Sequence, residues 1–384
     1  MRRPMSRRII CILCVMAFAV LYTFTRTDAA LMLLLAAILL PIASLVLGAI
    51  SARGTSVFLS IPAEIYKGSQ THCALTVDNR SFVPSSRVEL TLFIKNTLTG
   101  CEGRFGPITA SVPFLGKTEL AFVFETSHCG QFVFTADSFH VYDFLGLRGI
   151  RKTFPLKKKC IVPPEIFPLR VKLSGGTTLE GREMFSVPRK GQDRTEPFQI
   201  RDYAEGDSPK QIHWKLTQKF GRYIVTDPSQ ELEQALLIVW DSGQLETDTP
   251  EVTDTLAEAL ISLCVELNEE GVSYEVIWKN GEMGDVILKD VSEKEDVFDV
   301  VSGVLCADGA DGKSLIPEFL SLLNGRRYPL VAYFSGGFPK ELAQLESVGR
   351  ITAFLCGTGN EPEEYRSFIF SPDNYASVLR DITI

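Results

Sequence analysis

Two apolar runs near the N-terminus, four residues apart, constrain this chain more than any other feature. The first reads IICILCVMAFAVLYTF and the second AALMLLLAAILLPIASLVLGAI, with TRTD between them. A bilayer core of about 30 Å needs about 20 apolar residues at about 1.5 Å of helical rise each. The second run meets that length; the first reaches it once Thr25 is counted and the Arg8 side chain snorkels. Together they predict a transmembrane helical hairpin over residues 1–53, with spans at about 9–24 and 29–50. The competing reading, a cleavable signal peptide in the first run, lacks a small-x-small cleavage site, and the second run would anchor the chain in any case. Arg2, Arg3, Arg7 and Arg8 precede the first span, the connecting loop sets Arg26 against Asp28, and Arg53 follows the second span. By the positive-inside rule, both the N-terminus and the domains after the hairpin are expected on the cytoplasmic side of the cell membrane.

The nine cysteines (11, 14, 73, 101, 129, 160, 264, 306 and 356) have wide, unrepeated spacings, which fits a reducing compartment rather than a disulfide framework. Cys11 and Cys14 form a Cys-x-x-Cys inside an apolar run, where small apolar residues are the ordinary reading. His72, His128 and His140 show no ligand spacing, so no zinc site is expected.

Charge is segregated along the chain. Residues 1–150 carry 13 basic and 9 acidic side chains, residues 151–230 carry 16 and 9, and residues 231–384 carry 10 and 29. An acidic last domain repels phosphates, which argues against nucleic acid and leaves a basic partner or complementarity within the chain.

Between about residue 54 and residue 165 the apolar pattern has period two. Cys73, Leu75 and Val77 share one face, as do Val88, Leu90, Leu92 and Ile94, then Leu120, Phe122 and Phe124, then Phe132 and Phe134. Turn formers at Asp78-Asn79, Val83-Pro84 and Cys129-Gly130 separate these runs, predicting a β-sandwich of immunoglobulin-like architecture. Lys157, Lys158 and Lys159 close the region and suit either a lysine-protected strand edge or anionic lipid. A connector over 166–230 follows; its SGGTTLEGRE lacks the Gly-Lys-Ser/Thr ending of a phosphate-binding loop.

From 231 to 384 strands and helices alternate. EQALLIVWD, VSYEVIW, YPLVAYFSGG and RITAFLCG read as strands, whereas 250–271, 295–307, 313–325 and 339–349 read as helices. The helix over 250–271 carries Val252, Leu256, Leu260, Leu263, Cys264 and Leu267 on one stripe. Such alternation predicts an α/β domain with a mainly parallel sheet. Ligands of such sheets bind beyond the carboxyl ends of the strands, here at Asp241-Ser242-Gly243, Ser335-Gly336-Gly337 and Gly357.

Residues 198–223, FQIRDYAEGDSPKQIHWKLTQKFGRY, hold the densest set of chemically capable side chains. Ser208 or Asp207 can cap a helix that Pro209 opens and Gly221 closes, with Gln211 completing a capping box and Ile212, Leu216 and Phe220 on one face. Strands are expected on either side. Three readings stay open: a joint between domains fixed by Arg201 and Asp207, with Trp214 buried; an anion or peptide pocket at the helix start with Lys210, Arg201 and Arg222; or a catalytic site with His213 as base, oriented by Asp202 or Asp207.

With this block, the DFLGL turn at 143–147 and the order hairpin, sandwich, α/β domain, nearly the whole chain resembles the bacterial domain of unknown function 58 family. Arg201, Tyr203, Gly206, Asp207, Trp214 and Lys215 match that family's hallmark block, next to His213; Lys210 and Gln218-Lys219 depart from it. The resemblance implies a von Willebrand factor A-like last domain and, as partners, a MoxR-type AAA ATPase or a transglutaminase-like membrane protein. It implies no established reaction and no cofactor. An adhesion-type metal site in such a domain needs Asp-x-Ser-x-Ser with a distal threonine and aspartate. Here Asp241 and Ser242 are followed by Gly243 and Leu245 in the two serine places, and Ser335 stands at the distal strand end, so no bound metal is expected. A membrane-anchored scaffold or adaptor is the expectation, against the alternative of a hydrolase or transferase acting on an envelope substrate.

Overall fold

The computed structural model describes residues 4–62, 65–173, 199–202, 217–218, 222–227, 236–244, 249–281, 283–307, 313–357 and 365–384. The chain forms two compact units, one built mainly from residues up to Glu165 and the other mainly from Ile166 onward.

The first unit opens with helices α1 (Pro4–Thr25) and α2 (Asp28–Gly54), joined at Arg26 and Thr27. Thr27 caps α2 by accepting the Ala30 N–H through its hydroxyl at 3.4 Å. Both helices are long and apolar enough to cross a membrane, with mean hydropathy of 2.1 over the most apolar 18 residues of Ser6–Thr25 and 2.8 over those of Asp28–Gly54. Pro41 lies within α2.

Seven strands then form a sandwich: β1 (Thr55–Ser60), β2 (Thr71–Asn79), β3 (Ser85–Asn96), β4 (Glu102–Val112), β5 (Gly116–Phe124), β6 (Gly130–Tyr142) and β7 (Gly149–Val162). They pair as two antiparallel sheets, β1-β2-β5 and β4-β3-β6-β7. The period-two pattern has the expected physical outcome. Cys73, Leu75, Val77, Val88, Leu90, Leu92, Phe122, Phe124, Phe132 and Phe134 are buried in one core between the sheets, and Ile94 and Leu120 pack against it partly covered. The β6–β7 hairpin slips register between Ala136 and Ser138, a bulge that the alternation does not announce.

In the second unit, β8 (Arg170–Lys172) pairs parallel with the C-terminal strand β17 (Asp381–Thr383), and β9 (Gln199–Asp202) pairs antiparallel with β10 (Ile224–Asp227), Arg201 opposite Val225. The main sheet has the order β13-β12-β11-β14-β15-β16, from β11 (Leu236–Asp241), β12 (Tyr274–Lys279), β13 (Val286–Val291), β14 (Leu330–Ser335), β15 (Arg350–Cys356) and β16 (Arg366–Phe370). It is a mixed sheet: β12, β11, β14, β15 and β16 run parallel and β13 returns antiparallel along one edge. A short turn after β12 leads directly into β13, so this connection is a hairpin and needs no crossover helix.

Helices α3 (Pro250–Glu269), α4 (Lys294–Leu305) and α5 (Ile316–Leu323) lie where the periodicity places helices. The fourth expected helix, Lys340–Ser347, is a 3-10 helix, entered from Pro339 and anchored by buried Leu342 and Leu345. Those two residues are three apart, the repeat of a 3-10 helix, so one face suffices for burial. Beyond its apolar stripe, α3 also buries Glu258, which accepts the Tyr375 hydroxyl at 2.9 Å, and Ser262, whose hydroxyl accepts the Phe167 N–H at 3.3 Å.

Candidate functional site

The parallel register aligns Asp241, the last residue of β11, with Ser335, the last residue of β14. Both strands are buried at every position, so their carboxyl ends bring two polar side chains into a nearly dry environment. Asp241 is 1% exposed and Ser335 is fully buried.

The Asp241 carboxylate is saturated by donors of its own chain. Its Oδ1 accepts the Gly243 and Leu315 N–H groups, each at 3.2 Å, while Oδ2 accepts the Tyr333 hydroxyl at 2.7 Å and the Ser314 hydroxyl at 3.1 Å. A carboxylate offers about four lone-pair directions, and all four are occupied. Burial pushes the Asp241 pKa above the ordinary aspartate value, and the four hydrogen bonds pull the other way without cancelling it. Burial likewise drives the Tyr333 phenol far up, reinforced by the adjacent Asp241 charge, so this hydroxyl acts as a donor.

Gly243 shows why the place resists a serine. A Cβ there would lie 2.0 Å from the Lys313 carbonyl oxygen, so the 313–315 backbone crosses the space that a side chain at 243 would occupy. Ser242 is buried beside Asp241, and the Ser335 hydroxyl accepts the Gly337 N–H at 3.3 Å. The arrangement is a latch. It fastens the segment leading into α5 onto the ends of the two central strands.

Sequence reasoning located Asp241, Ser242 and Ser335 but missed Tyr333 and Ser314. A signal for Tyr333 existed: two residues before Ser335 on a parallel neighbour, it shares Ser335's face. None existed for Ser314, because nothing local reports which strand end a preceding loop crosses. Among the other candidates, Arg201 lies within β9. Tyr203, Gly206, Asp207, Lys210, His213, Trp214 and Lys215 lie outside the described residues.

A second concave feature occupies the opposite, amino ends of β14, β15 and β16. It is a cleft of about 690 Å³ whose lining includes Arg327, Tyr328, Glu346, Arg350, Tyr365 and Arg366. The Tyr365 hydroxyl donates to Glu346 at 2.6 Å, and the Tyr328 hydroxyl donates to buried Glu275, which also faces Arg326 at 3.6 Å. Three arginines thus collect in one cleft of the most acidic segment of the chain. Among the described residues no group of three or more His, Cys, Asp or Glu side chains is placed to share a metal ion.

No protein-family profile matches the sequence, and no curated protein matches it. Solved structures with partial likeness include the CARDB domain of the PF1109 protein from Pyrococcus furiosus in complex with di-metal ions, at 12% identity over 28% of this chain and 86% of that one, with a TM-score of 0.22. Another is a beta-glucosidase from Listeria innocua, at 11% identity over 28% of this chain and 16% of the enzyme, TM-score 0.21. A third is the alkylpurine DNA glycosylase AlkC from Pseudomonas fluorescens, at 13% identity over 38% of this chain and 41% of that one, TM-score 0.21. At these scores the likenesses carry no argument about activity, ligand or partner.

Proposed function

We propose that the protein is a membrane-anchored scaffold or adaptor. Its hairpin holds the sandwich and the α/β unit at the cytoplasmic face, and a von Willebrand factor A-like domain recruits a protein partner. The observation that carries this reading is the saturated Asp241. Where an α/β sheet usually opens a ligand crevice, this chain fills the end of β11 with its own loop. Recognition through the surface of the domain is the use that this closure favours. The resemblance supplies a MoxR-type AAA ATPase as the partner, or a transglutaminase-like membrane protein.

The test is crosslinking and capture from intact membranes, comparing the parent chain with Arg201→Ala and Asp207→Asn. Loss of a captured ATPase in variants that keep their membrane level and protease resistance is the expected result. Unchanged capture in both variants removes the hallmark block from the docking role, and capture of no partner by the parent chain removes the adaptor reading itself.

A further inference from the structure

One end of the sandwich differs sharply from the other in what its loops expose. Three loops meet at the end from which α2 enters: β2–β3 (80–84), β4–β5 (113–115) and β6–β7 (143–148). Their tips carry Phe82, Phe114, Leu115, Phe144 and Leu145, with exposures from 44% to 83%. Five large apolar side chains left in water on loop tips form a costly surface unless something covers them.

The loops are fastened to the apolar helices. The Arg80 N–H donates to the Gly54 carbonyl at the end of α2 at 3.0 Å, and the Leu115 N–H donates to the Ser81 carbonyl at 3.0 Å, which ties two loops to the helix and to each other. Deeper along α2, the Ser44 hydroxyl donates to Asp143 Oδ2 at 2.6 Å and accepts the Leu145 N–H at 3.1 Å. From α1, Arg8 Nε donates to the Leu147 carbonyl at 2.6 Å and Arg7 donates to the Leu145 carbonyl at 3.5 Å.

These bonds fix the depth of the β6–β7 turn. Arg7 and Arg8 stand where the apolar run of α1 begins, so the turn lies level with the polar end of that run. Along α2, Leu45, Val46, Leu47 and Ile50 stay exposed and continue the apolar surface toward the same loops. The charges also fit. Arg80, Lys117 and Arg148 are exposed at this end, Arg80 lying 3.4 Å from Asp78, whereas the one acid within the loops, Asp143, is buried. Aromatic tips flanked by arginine and lysine are the composition of a membrane–water interface.

We propose that this end of the sandwich is seated in the bilayer. Phe82, Phe114, Leu115, Phe144 and Leu145 enter the headgroup region and upper acyl chains of the leaflet from which α2 emerges, and Arg80, Lys117 and Arg148 meet anionic headgroups. The inference rests on α1 and α2 spanning the membrane and adds that the sandwich is held at a fixed depth and tilt rather than hanging from a free helix end.

The full chain is placed in vesicles of phosphatidylcholine and phosphatidylglycerol containing a lipid with a nitroxide high on its acyl chain. Phe82→Trp, Phe114→Trp and Phe144→Trp are compared with Tyr66→Trp at the far end of the sandwich, after subtracting the parent emission. Quenching by the shallow nitroxide at 82, 114 and 144, with none at 66, is the expected result. Carbonate washing separates the two readings. A chain that leaves the vesicles overturns the spanning helices, and the seat with them. A chain that stays while the three sites escape quenching overturns the seat alone. Equal quenching at all four sites also overturns it. So does shielding from aqueous acrylamide without lipid quenching, which would show a protein covering this end.

Discussion

At Asp241, one buried carboxylate satisfies two N–H groups and two hydroxyls that would otherwise be stranded in a dry strand end. Asp241→Asn replaces one acceptor oxygen with an NH2 that faces donors, leaving at least one hydroxyl or amide unpaired. A loss of about 1–3 kcal/mol at neutral pH is expected in urea unfolding of the α/β unit. The pH dependence has a definite sign. Because burial raises the folded pKa, the native state holds the Asp241 proton more tightly than the unfolded chain does. That contribution is complete below the ordinary aspartate range and is lost as pH rises through the folded value. The stability advantage of the parent over the non-titrating Asn variant should therefore shrink as pH rises from the ordinary aspartate range toward neutrality; an advantage that grows over that window contradicts the assignment. Gly243→Ala tests the same latch sterically. Its Cβ meets a backbone oxygen, and an overpacking cost of about 1–3 kcal/mol is expected. Cysteine reactivity follows the same burial logic. Burial pushes the Cys160 thiol to about 11 and those of Cys264 and Cys356 to about 12, whereas Cys101 is exposed. The thiolate is the reactive form, so alkylation of the folded protein at neutral pH, read by peptide mass mapping, should mark Cys101 and spare those three.

Along α2, the buried residues Ser44, Gly48, Ser51 and Ala52 recur every three to four positions on a helix whose other faces are apolar and exposed. This stripe of small side chains lets the β6–β7 turn approach: a Cβ at Gly48 would sit 2.8 Å from Asp143 Cβ. Gly48→Leu should wedge the turn away and accelerate tryptic cleavage after Arg148, while Ser44→Ala, which removes one hydrogen bond and no space, should do so far more weakly. Equal cleavage in the two variants would remove the close approach as the cause. The stripe is visible in the sequence, but its partner is not, because Ser44 and Asp143 are 99 residues apart. The same limit separates what was legible from what was not. Sandwich strands follow from alternation, since one face of each is buried. The antiparallel edge β13 escaped because Val286, Ile287 and Leu288 are consecutive and only half-buried, which erases the period. The 3-10 helix escaped because its two anchoring leucines satisfy either helical repeat over so short a stretch. At the candidate site, Asp241 was legible as a strand end, and the loop that saturates it was not.

Over the whole molecule, charge and apolar surface are distributed along one direction of the sequence. Residues 1–150 have an excess of four basic side chains and residues 151–230 an excess of seven, while residues 231–384 have 29 acidic against 10 basic, a net of −19. The two apolar helices belong to the basic part, which is the part suited to an anionic leaflet. On the proposed adaptor reading, the acidic part would be repelled by such a leaflet, and its charge would favour a basic partner. Within it, Arg327, Arg350 and Arg366 line one cleft. Two docking modes therefore make different predictions. If a partner meets the acidic surface at large, capture should weaken steeply as salt rises from about 0.1 M to about 1 M, because the screening length falls from about 10 Å to about 3 Å, and Arg350→Glu with Arg366→Glu should leave capture intact or strengthen it. If an acidic segment of the partner enters the cleft, the same double charge reversal should abolish capture at every salt concentration. Measuring capture from membranes across the salt series, with parent and double variant side by side, assigns the docking face from the sign of the variant's effect.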